Sequence, residues 1–458
     1  MKGRIMDLAG KTVLVVGLGI SGMSAVSFLN KRGAEVIIND LKTEDELKEK
    51  LSSLQGKYKK AMLGLTPEKC FDGVDLIVIS PGVDFNNPWV KEAQILGIKI
   101  ISETELAYYF IPCDIVAITG TNGKTTSTTL VGEIFKDFGR RTHVVGNIGT
   151  AITSRVDEMK EGDIVVCELS SFQILNCREF APKVFAFLNL TPDHLDKYGT
   201  MERYAESKAM MLDMMHKDSY SILNMDDSGV AKYKDRVKGK LLWFTRKKKT
   251  DCGAFVKDGK VYFSVNGKEE YIIDAKDIRI MGNHNLENAL SAVCITRILG
   301  VNPESIRQTL MNFGGVEHRL EPCGTYKGVT YINDSKGTNT DAAITAIRAM
   351  DKPTVLIAGG YDKGSEFDDY VKEFGDKIKA VVITGDTMEK IAACADKYGY
   401  KSYYTEKNFD DAVRKAAELA ESGNNVLLSP ACASWDCFKN YEERGKRFKE
   451  IVKELNGE

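Results

Sequence analysis

The chain has 458 residues, of which 43% are hydrophobic and 28% are charged, and its formal net charge is −2. At roughly 100 to 200 residues per domain this length predicts about three domains, and the near-neutral charge argues against nucleic acid as a partner. The ten cysteines form no C-x-x-C pair and there are only five histidines, which disfavours a zinc cluster or a disulfide framework.

No apolar run approaches the roughly 20 residues of a membrane span. The N-terminal sequence leads into a strand and a glycine turn rather than a signal-peptide cleavage site. We therefore expect a cytoplasmic protein without membrane insertion. Separately, we expect it to act as a monomer.

Strand-like apolar runs alternate with helix-period segments along the chain, which predicts an α/β fold. We divide it into a Rossmann-like N-terminal domain (1–110), a central P-loop domain with a parallel sheet (111–315) and a Rossmann-like C-terminal domain (316–458). Hairpin signals at Asp258-Gly259 and Asn266-Gly267 add a small antiparallel meander to the central domain.

The first glycine motif follows the strand "KTVLVVG" and opens the helix "SGMSAVSFLNKRG". Gly17, Gly19 and Gly22 form G-x-G-x-x-G, and Asp40 ends the next strand, "EVIIND". This context predicts a site for the diphosphate of a nucleotide, without saying which nucleotide. The alternative is a glycine turn that only packs the helix on the strand.

The second glycine motif, "TGTNGKTTST", has the Gly-Lys-Thr ending of a phosphate loop, but Ile118 stands where the usual first glycine would be. Gly120 and Gly123 free backbone amides for phosphate oxygens, Lys124 supplies a positive charge, and Thr125 offers a hydroxyl to Mg²⁺. Strand, loop and helix follow in the order that phosphate binding requires, so we predict a phosphate-binding site.

Other polar residues follow later strands of the central domain. Glu168 ends "DIVVCEL", where it is either a magnesium ligand or a solvated residue or helix cap. His194 lies in the turn after "KVFAFLNL". Lys208 shares the apolar stripe of a helix with Tyr204 and Leu212, so it either extends its ammonium to solvent or is a buried amine with a lowered pKa, available for modification.

Further polar residues lie near strand or helix ends, and each is weak evidence alone. The turn 429–434 in "SPACASWDC" is a natural amide nest for a carboxylate. The others are Asn147, His284, Asn285, Asn288, Arg319, Asp334 and Lys336.

Together these stretches resemble the Mur ligase family, whose members add amino acids to the peptide stem of the bacterial cell-wall precursor. The family shares the short loop "GTNGKT". The motifs "GLGISG", "LELSSFQ", "NDSKGTN" and "SPACASWDCFKNYEERG" are similar to those of the members that join D-glutamate to UDP-N-acetylmuramoyl-L-alanine. The resemblance covers all three domains and implies an ADP-forming ligase of peptidoglycan precursor synthesis.

The resemblance also implies which residues bind the nucleotides, and it places a uridine diphosphate sugar, not a nicotinamide cofactor, in the first domain. The implied UDP-sugar residues are Gly19, Ile20, Ser21, Asp40, Ser80, Pro81, Gly82 and Asn147. The implied ATP residues are Gly120, Thr121, Asn122, Gly123, Lys124, Thr125, Thr126, Asn285, Asn288, Arg319 and Asp334.

Two Mg²⁺ ions are implied as cofactors, one at Thr125 and Glu168 and one at His194 and Lys208. In the family this lysine is carbamylated by CO₂ and becomes a carboxylate ligand, and Lys124, His194 and Lys208 are the implied catalytic residues. The implied D-glutamate residues are Lys336, Thr338, Lys363, Ser434 and Tyr441.

The implied reaction begins when the substrate carboxylate attacks the γ-phosphate of ATP, and the resulting acyl phosphate is then attacked by the amine of D-glutamate. Alternatives are a sister ligase that adds another amino acid, folylpolyglutamate synthase, which shares the loop, a P-loop switch ATPase, and a nicotinamide dehydrogenase.

Overall fold

The computed structural model describes residues 6–83, 87–280 and 282–457. The described strands form sheets of five, nine and six strands. The chain divides into two compact units, Met1–Ala275 with Glu287–Thr309 and Lys276–Leu286 with Leu310–Glu458. The first unit contains the five- and nine-stranded sheets and the second contains the six-stranded sheet, so the predicted α/β fold is confirmed. The domain bounds 1–110, 111–315 and 316–458 stay predictions.

The first sheet is wholly parallel, with the strand order β3-β2-β1-β4-β5. Its central strand is buried along almost its whole length because every residue of "TVLVV" is apolar or β-branched. The elements are β1 (Thr12–Val16), α1 (Ile20–Lys31), β2 (Glu35–Asp40), α2 (Glu44–Ser53), β3 (Lys60–Leu63), β4 (Leu76–Ile79), α3 (Pro88–Ile95), β5 (Lys99–Ser102) and α4 (Glu103–Tyr108).

The second sheet begins with the phosphate-loop strand and has a parallel core. Its first part comprises β6 (Asp114–Thr119), α5 (Lys124–Asp137), β7 (Thr142–Gly146), β8 (Ile164–Glu168), α6 (Ser171–Leu175), β9 (Val184–Phe187), α7 (Leu195–Tyr198), α8 (Met201–Met214) and β10 (Tyr220–Asn224). The rest comprises α9 (Ser228–Ala231), β11 (Lys240–Thr245), β12 (Gly253–Lys257), β13 (Lys260–Val265), β14 (Lys268–Asp274), α10 (Asn283–Ile298) and α11 (Pro303–Asn312).

The order of the second sheet is β14-β13-β12-β11-β10-β9-β6-β8-β7, and only the β12-β13 and β13-β14 pairs are antiparallel. The predicted meander is therefore confirmed. Asp258 and Asn266 have positive φ angles of 51° each, and the glycine after each is also positive, as a two-residue hairpin turn requires.

The third sheet has the order β15-β16-β20-β17-β18-β19 and is parallel except for the β15-β16 pair. Its elements are β15 (Glu321–Tyr326), β16 (Val329–Asn333), α12 (Thr340–Ala349), β17 (Thr354–Gly359), α13 (Asp368–Lys372), β18 (Ile378–Thr384), α14 (Met388–Lys397), β19 (Tyr403–Thr405), α15 (Phe409–Leu419), β20 (Asn425–Leu428) and α16 (Tyr441–Leu455).

In the described part of the chain, no helix combines the length and the apolar character that spanning a bilayer would require.

Candidate active site

Three neighbouring parallel strands, β9, β6 and β8, carry the candidate phosphate site at their carboxyl ends. The loop 120–123 leaves β6, Glu168 ends β8, and the turn containing His194 follows β9. Ligands of parallel sheets bind at this edge, and the strand order brings the three polar segments side by side.

The phosphate loop has the backbone that its glycines permit. Gly123 caps helix α5 with φ 79°, in the left-handed region. A Cβ atom there would lie 2.3 Å from Oδ1 of Asn288, so that side chain packs directly against the loop. Asn288 Oδ1 also accepts a hydrogen bond of 3.2 Å from Ser127 Oγ on α5.

The Lys124 ammonium folds back over its own loop. Nζ donates to the carbonyl oxygens of Gly120 at 3.1 Å and Thr121 at 2.7 Å. The positive charge is thus held at the N-terminus of α5, where anions bind favourably.

The segment after β9 braces the loop in a way that sequence reasoning missed. The Asn189 side chain accepts from Asn122 N at 2.8 Å and donates to Asn122 O at 3.0 Å. Thr121 Oγ1 donates to Thr191 O and accepts from Thr191 N, both at 3.1 Å. The available signal was the position of "LNLT" at the end of a strand, next to the strand that leads into the loop.

Lys208 lies in the interior, with 1% of its surface exposed. Its Nζ donates to Gly120 O at 3.0 Å and lies 4.7 Å from the centre of the Tyr204 ring. Burial lowers the pKa of Lys208 well below its usual value, and the nearby Lys124 lowers it further, while Asp193 and Glu168 oppose the shift. The alternative in which Lys208 extends to solvent is therefore wrong, because the apolar face of α8 that carries Lys208 is buried.

Glu168 is also buried, at 2% exposure, so the alternative of a solvated residue is wrong. The helix-cap alternative is wrong too, because Ser170 caps α6. Asn147 holds the carboxylate: its Nδ2 donates to Oε1 at 2.9 Å, and its backbone N donates to Glu168 O at 2.9 Å.

Oε2 of Glu168 is buried and has no hydrogen-bond partner among the described residues. A buried carboxylate oxygen without a partner is costly unless a ligand satisfies it, so this atom fits a hard cation. Thr125, the other implied ligand, is buried at the start of α5.

His194 takes a left-handed backbone conformation, with φ 53°, at the start of α7. Its ring packs edge-on against Phe172 at 5.2 Å, and about half of the side chain is exposed. Within residues 6–83, 87–280 and 282–457, no group of three or more His, Cys, Asp or Glu side chains is placed to hold a metal. Any Mg²⁺ here would need substrate oxygens or water to complete its ligands, as is common for this ion.

The first glycine motif is held by side chains from its own sheet. Asp40 Oδ2 accepts from Leu18 N at 2.7 Å, and Ser80 Oγ donates to Gly17 O at 2.7 Å. Ideal Cβ atoms on Gly19 and Gly82 would face open space, and Ile20 is 69% exposed. The loop therefore presents an accessible surface beside Asp40.

The remaining implied UDP-sugar residues fall in two places. Ser21 and Pro81 lie partly exposed beside this loop. Asn147, by contrast, contacts Glu168 at the edge of the second sheet.

In the second unit, Asp334 is buried at the end of β16. Its Oδ2 accepts from Ser429 Oγ at 2.8 Å and its Oδ1 accepts from Leu320 N at 3.2 Å. Burial raises the pKa of Asp334 to about 6, although the Arg319 charge opposes the shift. Asn285 is buried near the start of α10, in the same unit.

The implied D-glutamate residues all follow carboxyl ends of strands in the third sheet. Lys336 and Thr338 follow β16, and Lys363 follows β17. Ser434 follows β20, and Tyr441 begins α16, with the Lys336 ammonium 5.3 Å from its ring centre. One edge of one sheet therefore carries the whole set.

A buried arginine that sequence reasoning missed joins two of these loops. Arg444 donates to Ser335 Oγ at 3.0 Å and to Ser335 O at 2.8 Å. It also donates to Cys432 O at 3.0 Å and Ala433 O at 3.2 Å. The "RG" in "NYEERG" was the available sequence signal, but periodicity does not distinguish it from an exposed helix residue.

Comparison with known families matches each of the three sheets to a family model. Residues 11–102 match the Mur ligase MurD-like N-terminal domain. Residues 118–296 match the Mur ligase middle domain, and residues 318–432 match the Mur ligase glutamate ligase domain.

Full-length relatives are similar to the chain throughout. A protein of Thermoanaerobacter pseudethanolicus named UDP-N-acetylmuramoylalanine--D-glutamate ligase is 47% identical, covering 98% of this chain and 100% of the relative. A protein of the same name from Alkaliphilus oremlandii is 46% identical, with the same coverage.

Solved structures share the fold at lower identity. The UDP-N-acetylmuramate-alanine ligase of Thermotoga maritima matches with a TM-score of 0.61 and 20% identity, over 97% of this chain and 99% of that one. A pseudomurein peptide ligase type C from Methanothermus fervidus matches with a TM-score of 0.61 and 19% identity, over 97% and 100%. With its full-length relatives and its three matched domains, the chain belongs to the Mur ligase family.

Proposed function

We propose that the chain is an ADP-forming acid–amino-acid ligase that joins D-glutamate to UDP-N-acetylmuramoyl-L-alanine in peptidoglycan precursor synthesis. The observation that carries the choice of amino acid is the full-length identity of 47% to a relative named for this reaction. We further propose that the chain acts in the cytoplasm as a monomer.

ATP binds at the loop between β6 and α5. The amides of this loop and the Lys124 ammonium, held at the start of α5, neutralise the charge that develops as the γ-phosphoryl group moves. Asn122 is fixed by both ends of the Asn189 amide, so the loop is shaped before the nucleotide arrives.

The UDP-sugar binds at the first glycine motif beside Asp40. Its L-alanine carboxylate attacks the γ-phosphorus, ADP leaves, and an acyl phosphate forms. The D-glutamate amine then attacks the acyl carbon, loses a proton, and expels phosphate that carries one oxygen of the former carboxylate.

Two Mg²⁺ ions would be held by Thr125 and Glu168 and by His194 and a carbamylated Lys208. When bound, they supply positive charge to the phosphate oxygens. The chain's own residues prepare this site: Asn147 fixes one oxygen of Glu168 and leaves the other without a partner, and burial favours the neutral amine of Lys208, the form that reacts with CO₂.

Isotope tracing tests the reaction. With ¹⁸O in the L-alanine carboxylate of the UDP-sugar, we expect one labelled oxygen in each inorganic phosphate released. ADP release should require both the UDP-sugar and D-glutamate. Unlabelled phosphate would overturn the acyl-phosphate route.

Omission and replacement of D-glutamate separate the alternatives. ATP turnover without an amino acid would favour a switch ATPase. Turnover with another amino acid in place of D-glutamate would favour a sister ligase.

A further inference from the structure

An exposed aromatic pair lies at the carboxyl edge of the third sheet. Trp435 is 61% exposed and Tyr361 is 39% exposed, and their ring centres are 5.4 Å apart. An isolated bridge between Tyr361 and Ala433 fixes the spacing, with Tyr361 N donating to Ala433 O at 3.0 Å. A large, exposed aromatic side chain held in place by its neighbours is typical of a binding surface.

A lysine ammonium lies over the tryptophan ring of this pair. Nζ of Lys363 lies 5.1 Å from the centre of the Trp435 ring, within the range of a cation–π contact. Among the residues that the structure describes, no carboxylate lies within ion-pair distance of this ammonium. The tryptophan ring therefore restrains a positive charge that is not ion-paired with a carboxylate in the described part of the chain.

The neighbourhood suits an anionic amino acid. Trp435 follows the buried Ser434 in the loop after β20, and Lys363 lies in the loop after β17. Strands β17 and β20 are adjacent in the sheet, so both loops leave the same edge. A restrained ammonium at this edge can pair with a carboxylate of a ligand.

We propose that Trp435 is a substrate-positioning residue: braced by Tyr361, its ring holds the Lys363 ammonium where it binds a carboxylate of the incoming acidic amino acid. This inference rests on the proposed function, because it takes D-glutamate as that amino acid. Without the ring, the flexible lysine loses conformational restraint, and binding becomes weaker.

Steady-state kinetics of Trp435→Ala test the proposal. We expect the KM for D-glutamate to rise about tenfold, with little change in kcat or in the KM values for ATP and the UDP-sugar. Trp435→Phe keeps a ring and should restore the KM to within about threefold of the wild type. The matched control is Tyr404→Ala. Tyr404 is another exposed aromatic residue (41%) with a lysine ammonium 5.5 Å from its ring centre. Its substitution should change none of these values.

Fluorescence gives an independent readout. The other two tryptophans, Trp89 and Trp243, are buried and partly buried. With the UDP-sugar and a non-hydrolysable ATP analogue present, D-glutamate should change the emission of the wild type but not that of Trp435→Phe.

The outcomes separate the two proposals. An unchanged KM in Trp435→Ala, or a fall in its thermal midpoint together with kcat, would overturn the positioning role alone. A wild-type enzyme that does not consume D-glutamate would overturn the proposed function, and the positioning role with it.

Discussion

At the scale of single residues, Lys208 shows what a helical pattern specifies and what it leaves open. The spacing from Tyr204 to Leu212 assigns the lysine to the apolar face of α8, but it does not give the depth of that face. How deeply the lysine is buried depends on tertiary packing, which places Nζ against Gly120 O and the Tyr204 ring. Sequence therefore predicted the anomaly, and the structure decided between its two explanations.

We predict that Lys208→Ala abolishes ligation, because it removes the side chain proposed to carry the carbamate. Added acetate should restore part of the activity by supplying a carboxylate to the vacated space. The measurement is the rate of ADP release with and without acetate. Lys197→Ala, an exposed lysine on the neighbouring helix α7, is the control and should behave like the wild type. Full activity of Lys208→Ala would rule out the carbamate role.

The role of Asn189 in the candidate site could not be predicted from its residue type and position in the sequence. Its amide forms two bonds to Asn122, 67 positions away in the chain. Asparagines after strands are common in turns, so the residue type alone carries little information. Only the adjacency of β6 and β9 gives this one its role in shaping the loop.

At the scale of elements, the first glycine motif joins a helix to a strand. A Cβ atom on Gly22 would lie 1.9 Å from Gly17 O, whereas one on Gly19 would meet nothing within 4 Å. The two glycines thus serve different purposes within one motif: Gly22 allows close packing, and Gly19 leaves room beside the proposed diphosphate site.

These two positions provide a matched pair of variants. We predict that Gly22→Ala destabilises the protein by about 3 kcal/mol, because the helix must move away from the strand. Gly19→Ala should keep the unfolding midpoint and instead raise the KM for the UDP-sugar. Urea unfolding followed by kinetics measures both effects. Equal destabilisation by the two substitutions would contradict this division of roles.

The elements also show how far the fold could be predicted. The turns at Asp258 and Asn266 were predictable because two-residue hairpins demand left-handed backbone, which these residues tolerate. Strand β15 was not predicted, since Pro322 and Gly324 interrupt its pattern and its pairing with β16 shifts register there. Apolar runs identify the parallel cores, while an irregular edge strand depends on its partner.

At the scale of the whole molecule, a polar network within the first unit joins two helices that accompany the first sheet, α1 and α4, to the segment between β7 and β8 of the second sheet. Glu103 of α4 accepts from the backbone N of Thr153 at 2.7 Å and from its Oγ1 at 2.6 Å. The same Oγ1 lies 2.7 Å from Oγ of Ser24 on α1. These three residues are distant in sequence and separately unremarkable, so the network was not predictable.

Burial raises the pKa of Glu103, although its bonds to Thr153 oppose the shift. Between the unfolded pKa of about 4.3 and the raised value, the folded chain binds more protons than the unfolded chain. The stability that this group contributes is thus fully present below about pH 4.3 and is lost as pH rises through the folded pKa.

We predict that the unfolding midpoint of the wild type falls relative to that of Glu103→Gln as pH rises from about 4 to about 8, because glutamine does not titrate. Urea titrations across this range measure the difference. The exposed Glu161→Gln should follow the wild type. Parallel curves for the wild type and Glu103→Gln would show that this carboxyl group does not change protonation on folding.

Two lysines from different helices, Lys124 and Lys208, donate to one acceptor, the carbonyl oxygen of Gly120. Both ammonium groups depend on this one oxygen. A rotation of the Gly120 peptide plane would therefore change both hydrogen bonds. A nucleotide that draws Lys124 toward its phosphates would leave this oxygen to Lys208 alone. Burial would still lower the pKa of Lys208, but the repulsion from Lys124 that adds to that shift would weaken. If the nucleotide binds at this loop as proposed, its arrival and the basicity of Lys208 would be coupled through the Gly120 peptide group.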